Sequence, residues 1–141
     1  MKAFLDTSVL VATFYGDHVH HNASLDLFLR FGKSETSCGA HSLAEVYGTL
    51  TGMPPPRRVG ATEALLFLDD VQANLSIVTL SDSEYGDAIR SAASQQVFGG
   101  GIYDALLAQC ALRVNAEAIY TLNAKHFLRL SPHIASMVRS P

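Results

Sequence analysis

The sequence predicts an α/β protein: a three-layer α/β/α sandwich around a central, mostly parallel sheet of four to five strands. Three observations carry that expectation. Short apolar runs alternate with longer amphipathic segments along the whole chain. Regular alternation of strand and helix implies crossover connections, hence parallel strands covered on both faces. The 141 residues, 48% hydrophobic and 16% charged, suffice for a single domain over 1–141 with its own core and argue against disorder.

The elements follow in chain order. Residues 2–5 read as a short buried strand, and 8–14 and 19–31 as helices broken near Gly16 and Asp17. Residues 34–39 suit a second strand. Residues 42–53 place Leu43, Val46, Leu50 and Met53 on one helical face. The prolines of "GMPPPRR" stop that helix. Residues 60–72 form another helix and 75–79 a third strand. Residues 81–96 are helical, with Ser81 and Glu84 spaced as a capping box. The loop "VFGGGI" leads into a helix over 104–114. Residues 117–122 give a fourth strand, and the C-terminus adds a short fifth. There are no repeats, low-complexity tracts or internal linkers.

Bulk properties exclude several classes. No apolar run is long enough to cross a membrane. Asp6 interrupts the first apolar run too early for a signal peptide, so a cytoplasmic protein is expected. Cys38 and Cys110 lack metal-pair spacing and are too few for a secreted disulfide framework; they read as small core residues. A net charge of −3 is not the footprint of a broad basic surface. A nucleic acid would have to be held locally, by something other than bulk charge.

In sheets of this kind ligands bind outside the carboxyl ends of the strands, near the point where strand order reverses. Asp6, in "FLDTSVL", follows the first strand and is either a helix N-cap or a reactive carboxylate. Glu45 stands three residues after Ser42, the spacing of a capping box. It also lies off the apolar stripe, alongside small Gly48 and Thr49, where a ligand can approach. Asp104 opens a helix after three glycines whose spacing is neither Walker nor Rossmann. An acid there also suits a helix N-terminus. Asn123 and His126, in "IYTLNAKHF", mark an ordinary turn or else supply a neutral oxygen ligand and a donor. Two unit charges ~4 Å apart at an effective dielectric of ~20 repel by about 4 kcal/mol. If the three acids converge, a divalent cation removes that penalty. Oxygen donors without Cys point to Mg²⁺ or Mn²⁺ rather than Zn²⁺. "HVHH" at 18–21 finds no acid at helical spacing except Asp17, and reads as an exposed helix start rather than a zinc site.

Taken together, "FLDTSVL", "SLAEVYGTLT", "GGGIYDALLAQCA" and "IYTLNAKHF" resemble, in order and spacing, the four motifs of the PIN-domain ribonucleases. The resemblance covers nearly the whole chain, and the small size is similar to the VapC toxins of bacterial toxin–antitoxin pairs. It implies a metal-dependent endoribonuclease acting on RNA with Mg²⁺, or Mn²⁺ in its place. It implies acidic ligands at Asp6, Glu45 and Asp104, with Asn123 where the family often has an acid. Thr7, Ser8 and Thr121 match polar positions lining the family's site, and His126 would contact substrate or orient a neighbour. The resemblance also implies a homodimer and a VapB-type antitoxin that blocks the acidic pocket, in a heterotetramer or larger assembly.

Other readings fit less of the chain. A haloacid-dehalogenase-type phosphatase needs a second Asp where Ser8 stands, and a receiver domain needs an acidic pair after the first strand. A PIN-like module that binds RNA or a partner without cutting rests on Asn123 alone. A housekeeping PIN nuclease would lack the antitoxin. Arg57, Arg58, Lys125 and Arg129 are phosphate contacts or plain surface charges. Residues 60–72 are a dimer or antitoxin clamp or an ordinary core helix.

Overall fold

Strand β1 (Ala3–Leu5) is buried at every position, as expected of a central parallel strand covered on both faces. The computed structural model describes residues 1–141. After β1 come α1 (Thr7–Phe14), α2 (His21–Arg30), β2 (Thr36–Gly39), α3 (Ala40–Gly52), α4 (Ala61–Asn74) and β3 (Ser76–Val78). The second half holds α5 (Asp82–Ser94), α6 (Gly101–Arg113), β4 (Ala118–Tyr120), α7 (Ala124–Leu128), α8 (Pro132–Met137) and β5 (Val138–Arg139).

The sheet has the order β3-β2-β1-β4-β5, and every pairing is parallel. The chain therefore builds outward from β1 to β3, then crosses back to the other side of β1. The reversal falls between β1 and β4, so the crevice beyond their carboxyl ends is the switch point.

Alternation of side chains along β1 divides the core in two. Leu5 faces a cluster with Val9 and Leu10 of α1, Leu27 of α2, Val46 and Leu50 of α3 and Val71 of α4. Phe4 faces a cluster with Ala92 of α5, Leu107 and Ala111 of α6, Phe127 of α7 and Ile134 of α8. Fully burying a side chain such as Phe4 or Leu5 is worth about 1.5–3 kcal/mol. Both clusters clamp the short strand that ends at Asp6. Cys38 and Cys110 are buried in this core, where loss of solvation pushes the Cys38 thiol up to about 12 and the Cys110 thiol up to about 11. They stay neutral, as core residues should.

Several expected boundaries move. Helix α3 starts at Ala40 with Gly39 as its N-cap, so Ser42 and Glu45 do not form a capping box. Glu45 lies in the second turn rather than at the helix opening. Helix α6 starts at Gly101, ahead of Asp104. A Cβ at 101 would meet the Arg129 guanidinium and stand 2.8 Å from Val97 Cγ1, so a larger residue there would have to displace both. Residues 124–137 hold two helices where the sequence predicts none; five and six residues are too short for helical periodicity to register. The start of α8 does carry a signal: Pro132 at its first position and the Ser131 hydroxyl accepting from the Ile134 N–H at 3.2 Å. The capping box at Ser81 and Glu84 and the short fifth strand are as expected. No helix is long and apolar enough to cross a membrane.

Candidate active site

Asp6 occupies the N-cap position of α1, yet its side chain caps nothing. The carboxylate instead turns into the crevice between β1 and β4, 4% exposed. Ser8 Oγ donates to its Oδ2 at 2.6 Å, and Thr121 Oγ1 donates to the same oxygen at 2.7 Å. Those hydroxyls are aimed by the backbone beyond β4. The Leu122 N–H donates to Ser8 Oγ at 3.0 Å, and the Asn123 N–H donates to Thr121 Oγ1 at 2.9 Å. Each hydroxyl, its acceptor capacity used by an N–H, directs its one proton to Asp6. Both protons go to one carboxylate oxygen, which leaves Oδ1 without a protein donor.

Glu45 reaches the crevice from α3. Thr7 Oγ1 donates toward Glu45 Oε1 and Ser42 Oγ, each at 3.0 Å, sharing one proton between them. His41, one turn earlier on α3, brings Nε2 to 3.9 Å from Glu45 Oε1. Asp104 enters from α6, with His126 Nδ1 of α7 at 3.5 Å from Oδ2. Burial pushes the Glu45 carboxyl above its usual value; the Thr7 hydrogen bond and His41 pull it down, and Asp6 pushes it up. Burial likewise raises Asp104, reinforced by the charges of Asp6 and Glu45 and opposed by His126 and Arg129. The three acids therefore feel one another across one open crevice.

That space is a crevice of about 380 Å³ lined by Asp6, Thr7, Ser8, Glu45, Asp104 and Asn123, together with Val11, His18, His20, Thr49 and Leu122. Thr121 lies just beneath it. His126 touches Asp104 from the rim. The carboxylates face one space without closing on a single point: no three His, Cys, Asp or Glu side chains are gathered tightly enough to grip an ion directly. The donor set nevertheless suits a hard divalent ion. It offers three carboxylates and an amide oxygen, burial and then the neighbouring acids raise two of the carboxyls, and Mg²⁺ commonly keeps several waters between itself and protein oxygens.

Two groups escaped the sequence reading. The sequence predicts an exposed helix start at 18–21, but α2 begins at His21, and His18 and His20 lie in the preceding turn and line the crevice. The His18 Nδ1 accepts from the His20 N–H at 3.0 Å. His41 stands four residues before Glu45, a helical spacing that was available in the sequence. Arg57 and Arg58 are spoken for. Arg57 donates to both oxygens of Asp17 at 2.8 and 3.2 Å and lies over the Tyr15 ring, while Arg58 donates to the Met53 carbonyl. Lys125 is exposed, and Arg129 packs against Gly101 near Asp104. Helix α4 buries Ala64 and Val71 in the core and leaves Leu65 and Leu66 55% and 61% exposed.

A parallel sheet of this order, with an acidic crevice at its switch point, defines a class of protein, and comparison with known proteins names it. The family model described as "PIN domain" matches residues 3–131. Ribonuclease VapC40 of Mycobacterium tuberculosis is 32% identical over 114 residues, 81% of each chain. Ribonuclease VapC27 of the same organism is 30% identical over 113 residues, 80% of this chain and 79% of that one. The chain belongs to the PIN-domain family, among its VapC-type ribonucleases. Two solved structures share the fold. One is VapBC2 from Rickettsia felis bound to a DNA fragment from its promoter, with a TM-score of 0.68 and 20% identity over 99% of this chain and 98% of that chain. The other is M. tuberculosis VapC20, described as a Sarcin-Ricin loop cleaving toxin, with a TM-score of 0.72 and 14% identity over 89% and 92%.

Proposed function

We propose that this chain, a single PIN-like unit over 1–141, is the toxin of a toxin–antitoxin pair and hydrolyses RNA phosphodiester bonds in the cytoplasm with a divalent metal. The observation that carries the reading is the joint exposure of Asp6, Glu45 and Asp104 to one crevice at the β1/β4 switch point. Asp6, Glu45 and Asp104 would hold Mg²⁺, or Mn²⁺ in its place, with Asn123 as a neutral oxygen donor. Such an ion lowers the pKa of a bound water and stabilises charge on the departing 3′ oxygen.

The chain's own residues prepare that site. Ser8 and Thr121 fix the orientation of the Asp6 carboxylate through two hydrogen bonds to Oδ2. Thr7 does the same for Glu45. His126 holds Asp104 from the rim, and Thr7, Ser8 and His126 are the polar surround of the substrate phosphate, with Thr121 supporting them from beneath through Asp6. Asp6, Glu45 and Asp104 would hold a metal whose positive charge would let this acidic pocket accept a polyanion.

The partner is a VapB-type antitoxin, supported by the curated relatives and by the VapBC2 neighbour. An apolar hollow of about 480 Å³ between α2 and α4, lined by Phe14, Leu25, Phe28, Leu29 and Leu66, suits a partner helix. A homodimer, and a heterotetramer or larger with antitoxin, complete the reading.

The experiment is RNA cleavage by the purified wild type, Asp6→Asn and Asp104→Asn with Mg²⁺, Mn²⁺ or EDTA, alongside growth arrest on expression. Cleavage and arrest by the wild type alone, abolished by EDTA, are expected. Undiminished cleavage by both variants overturns the site.

A further inference from the structure

His41 and Tyr103 form a stacked pair beside the crevice, their ring centroids 5.0 Å apart and their planes 7° from parallel. Each comes from a helix that carries one of the acids. His41 precedes Glu45 by one turn of α3, and Tyr103 immediately precedes Asp104 on α6. Tyr103 is 47% exposed, and a third of the His41 side chain is open to solvent. On its far side His41 lines a second hollow of about 160 Å³ with Val78, Leu80, Tyr85 and Leu106, and Tyr85 is itself 42% exposed. An aromatic surface thus runs on from the carboxylates.

A chain of net charge −3 that acts on a polyanion needs contacts that do not depend on bulk positive charge. Arg57 and Arg58 do not supply them, being engaged by Asp17 and the Met53 carbonyl, and Arg129 is the single arginine whose charge reaches Asp104, its guanidinium packed against Gly101. Aromatic stacking does supply such contacts, and every base has a π-face. We infer that the His41–Tyr103 pair is a stacking platform for an RNA base next to the scissile phosphate. The inference rests on the ribonuclease reading above. It assigns substrate-contact roles to two residues outside the four motifs' acids. A phosphate held at Asp6 and Asp104 leaves its neighbouring base at the edge where Tyr103 is open.

The test is a coupling cycle between protein ring and RNA base. Single-stranded oligoribonucleotides that the wild type cleaves are remade with an abasic residue at each position flanking the cut in turn. KM and kcat are then measured for the wild type, Tyr103→Phe and Tyr103→Leu. One abasic position is expected to raise KM about tenfold for the wild type and Tyr103→Phe. Tyr103→Leu is expected to raise KM for the intact RNA by a similar factor, with little added by the abasic residue, and to leave kcat within about twofold. If Tyr103 only staples α3 to α6, Tyr103→Leu lowers kcat and the abasic penalty persists at full size, which overturns the inference while the nuclease reading stands. His41→Leu, which removes the other ring, provides an independent cycle should Tyr103→Leu fail to fold, and an undiminished abasic penalty there has the same meaning. RNA left uncut by the wild type overturns the nuclease reading and this inference together.

Discussion

The Thr121 hydroxyl donates to Asp6 Oδ2 at 2.7 Å, joining residues 115 positions apart across the boundary between β4 and β1. Thr121 is buried and so is the carboxylate it serves. Thr121→Val keeps the shape and removes both the donor to Asp6 and the acceptor for the Asn123 N–H. Asp6 keeps its Ser8 donor, so the loss is one hydrogen bond to a charged group, about 1.5–3 kcal/mol. Urea denaturation should show a loss of that size, with Thr121→Ser close to wild type.

Glu45 and Asp104 carry carboxyls raised by burial and by neighbouring acids. Their ordinary values are 4.5 and 3.8, and the unfolded chain releases its protons there. The native protein holds those protons to higher pH. It therefore binds more protons than the unfolded chain in that window, and metal-free stability falls as pH rises through the raised values. The stability of these two groups is fully present below about pH 4. Thermal melts in EDTA should show the decline, and Asp104→Asn should flatten it. That variant should also gain on the order of 1 kcal/mol at neutral pH, the usual scale when a functional-site penalty is relieved.

Gly39 ends β2 and caps α3, the helix that carries Glu45. A Cβ there would stand 2.6 Å from Leu107 Cδ2 and 3.6 Å from Cys110 Sγ. Gly39→Ala forces the buried Leu107 to move. Overpacking of this kind costs about 1–3 kcal/mol, readable as a lower urea midpoint with unchanged slope. Cleavage should fall as well, because the strain sits at the root of α3.

Arg57 looked in the sequence like a candidate phosphate contact, but it clasps Asp17 and the Tyr15 ring. Arg57→Ala should leave KM for RNA within about twofold of wild type, as expected for an exposed ion pair remote from the reacting phosphate. A tenfold rise in KM would return Arg57 to the substrate path.

The α/β class and the order of the main elements were legible because β1 is uniformly apolar, α3 and α6 carry apolar runs, and α5 opens on the Ser81–Glu84 capping box. The acids could be nominated because strand ends and helix starts in such sheets share an edge. What could not be read depends on side-chain direction. Asp6 stands at an N-cap yet serves the crevice, and only the placement of Thr121 beyond β4 shows why. The turn that brings His18 and His20 over the crevice has no periodicity to betray it. Ser42 and Glu45 carry the letters of a capping box, but α3 begins two residues earlier, so the Ser42 hydroxyl accepts from Thr7 instead. Helices α7 and α8 are too short to register by period, although Ser131-Pro132 marks where α8 starts.

The most direct test of the metal site is equilibrium binding of Mn²⁺, followed by loss of the free-ion electron paramagnetic resonance signal, for the wild type, Asp6→Asn and Asp104→Asn. The expected result is saturable binding by the wild type, weakened at least about tenfold in each variant, since even outer partners of a metal site are worth 10–100-fold in affinity. Equal Mn²⁺ binding by all three proteins would contradict a metal centre at Asp6 and Asp104.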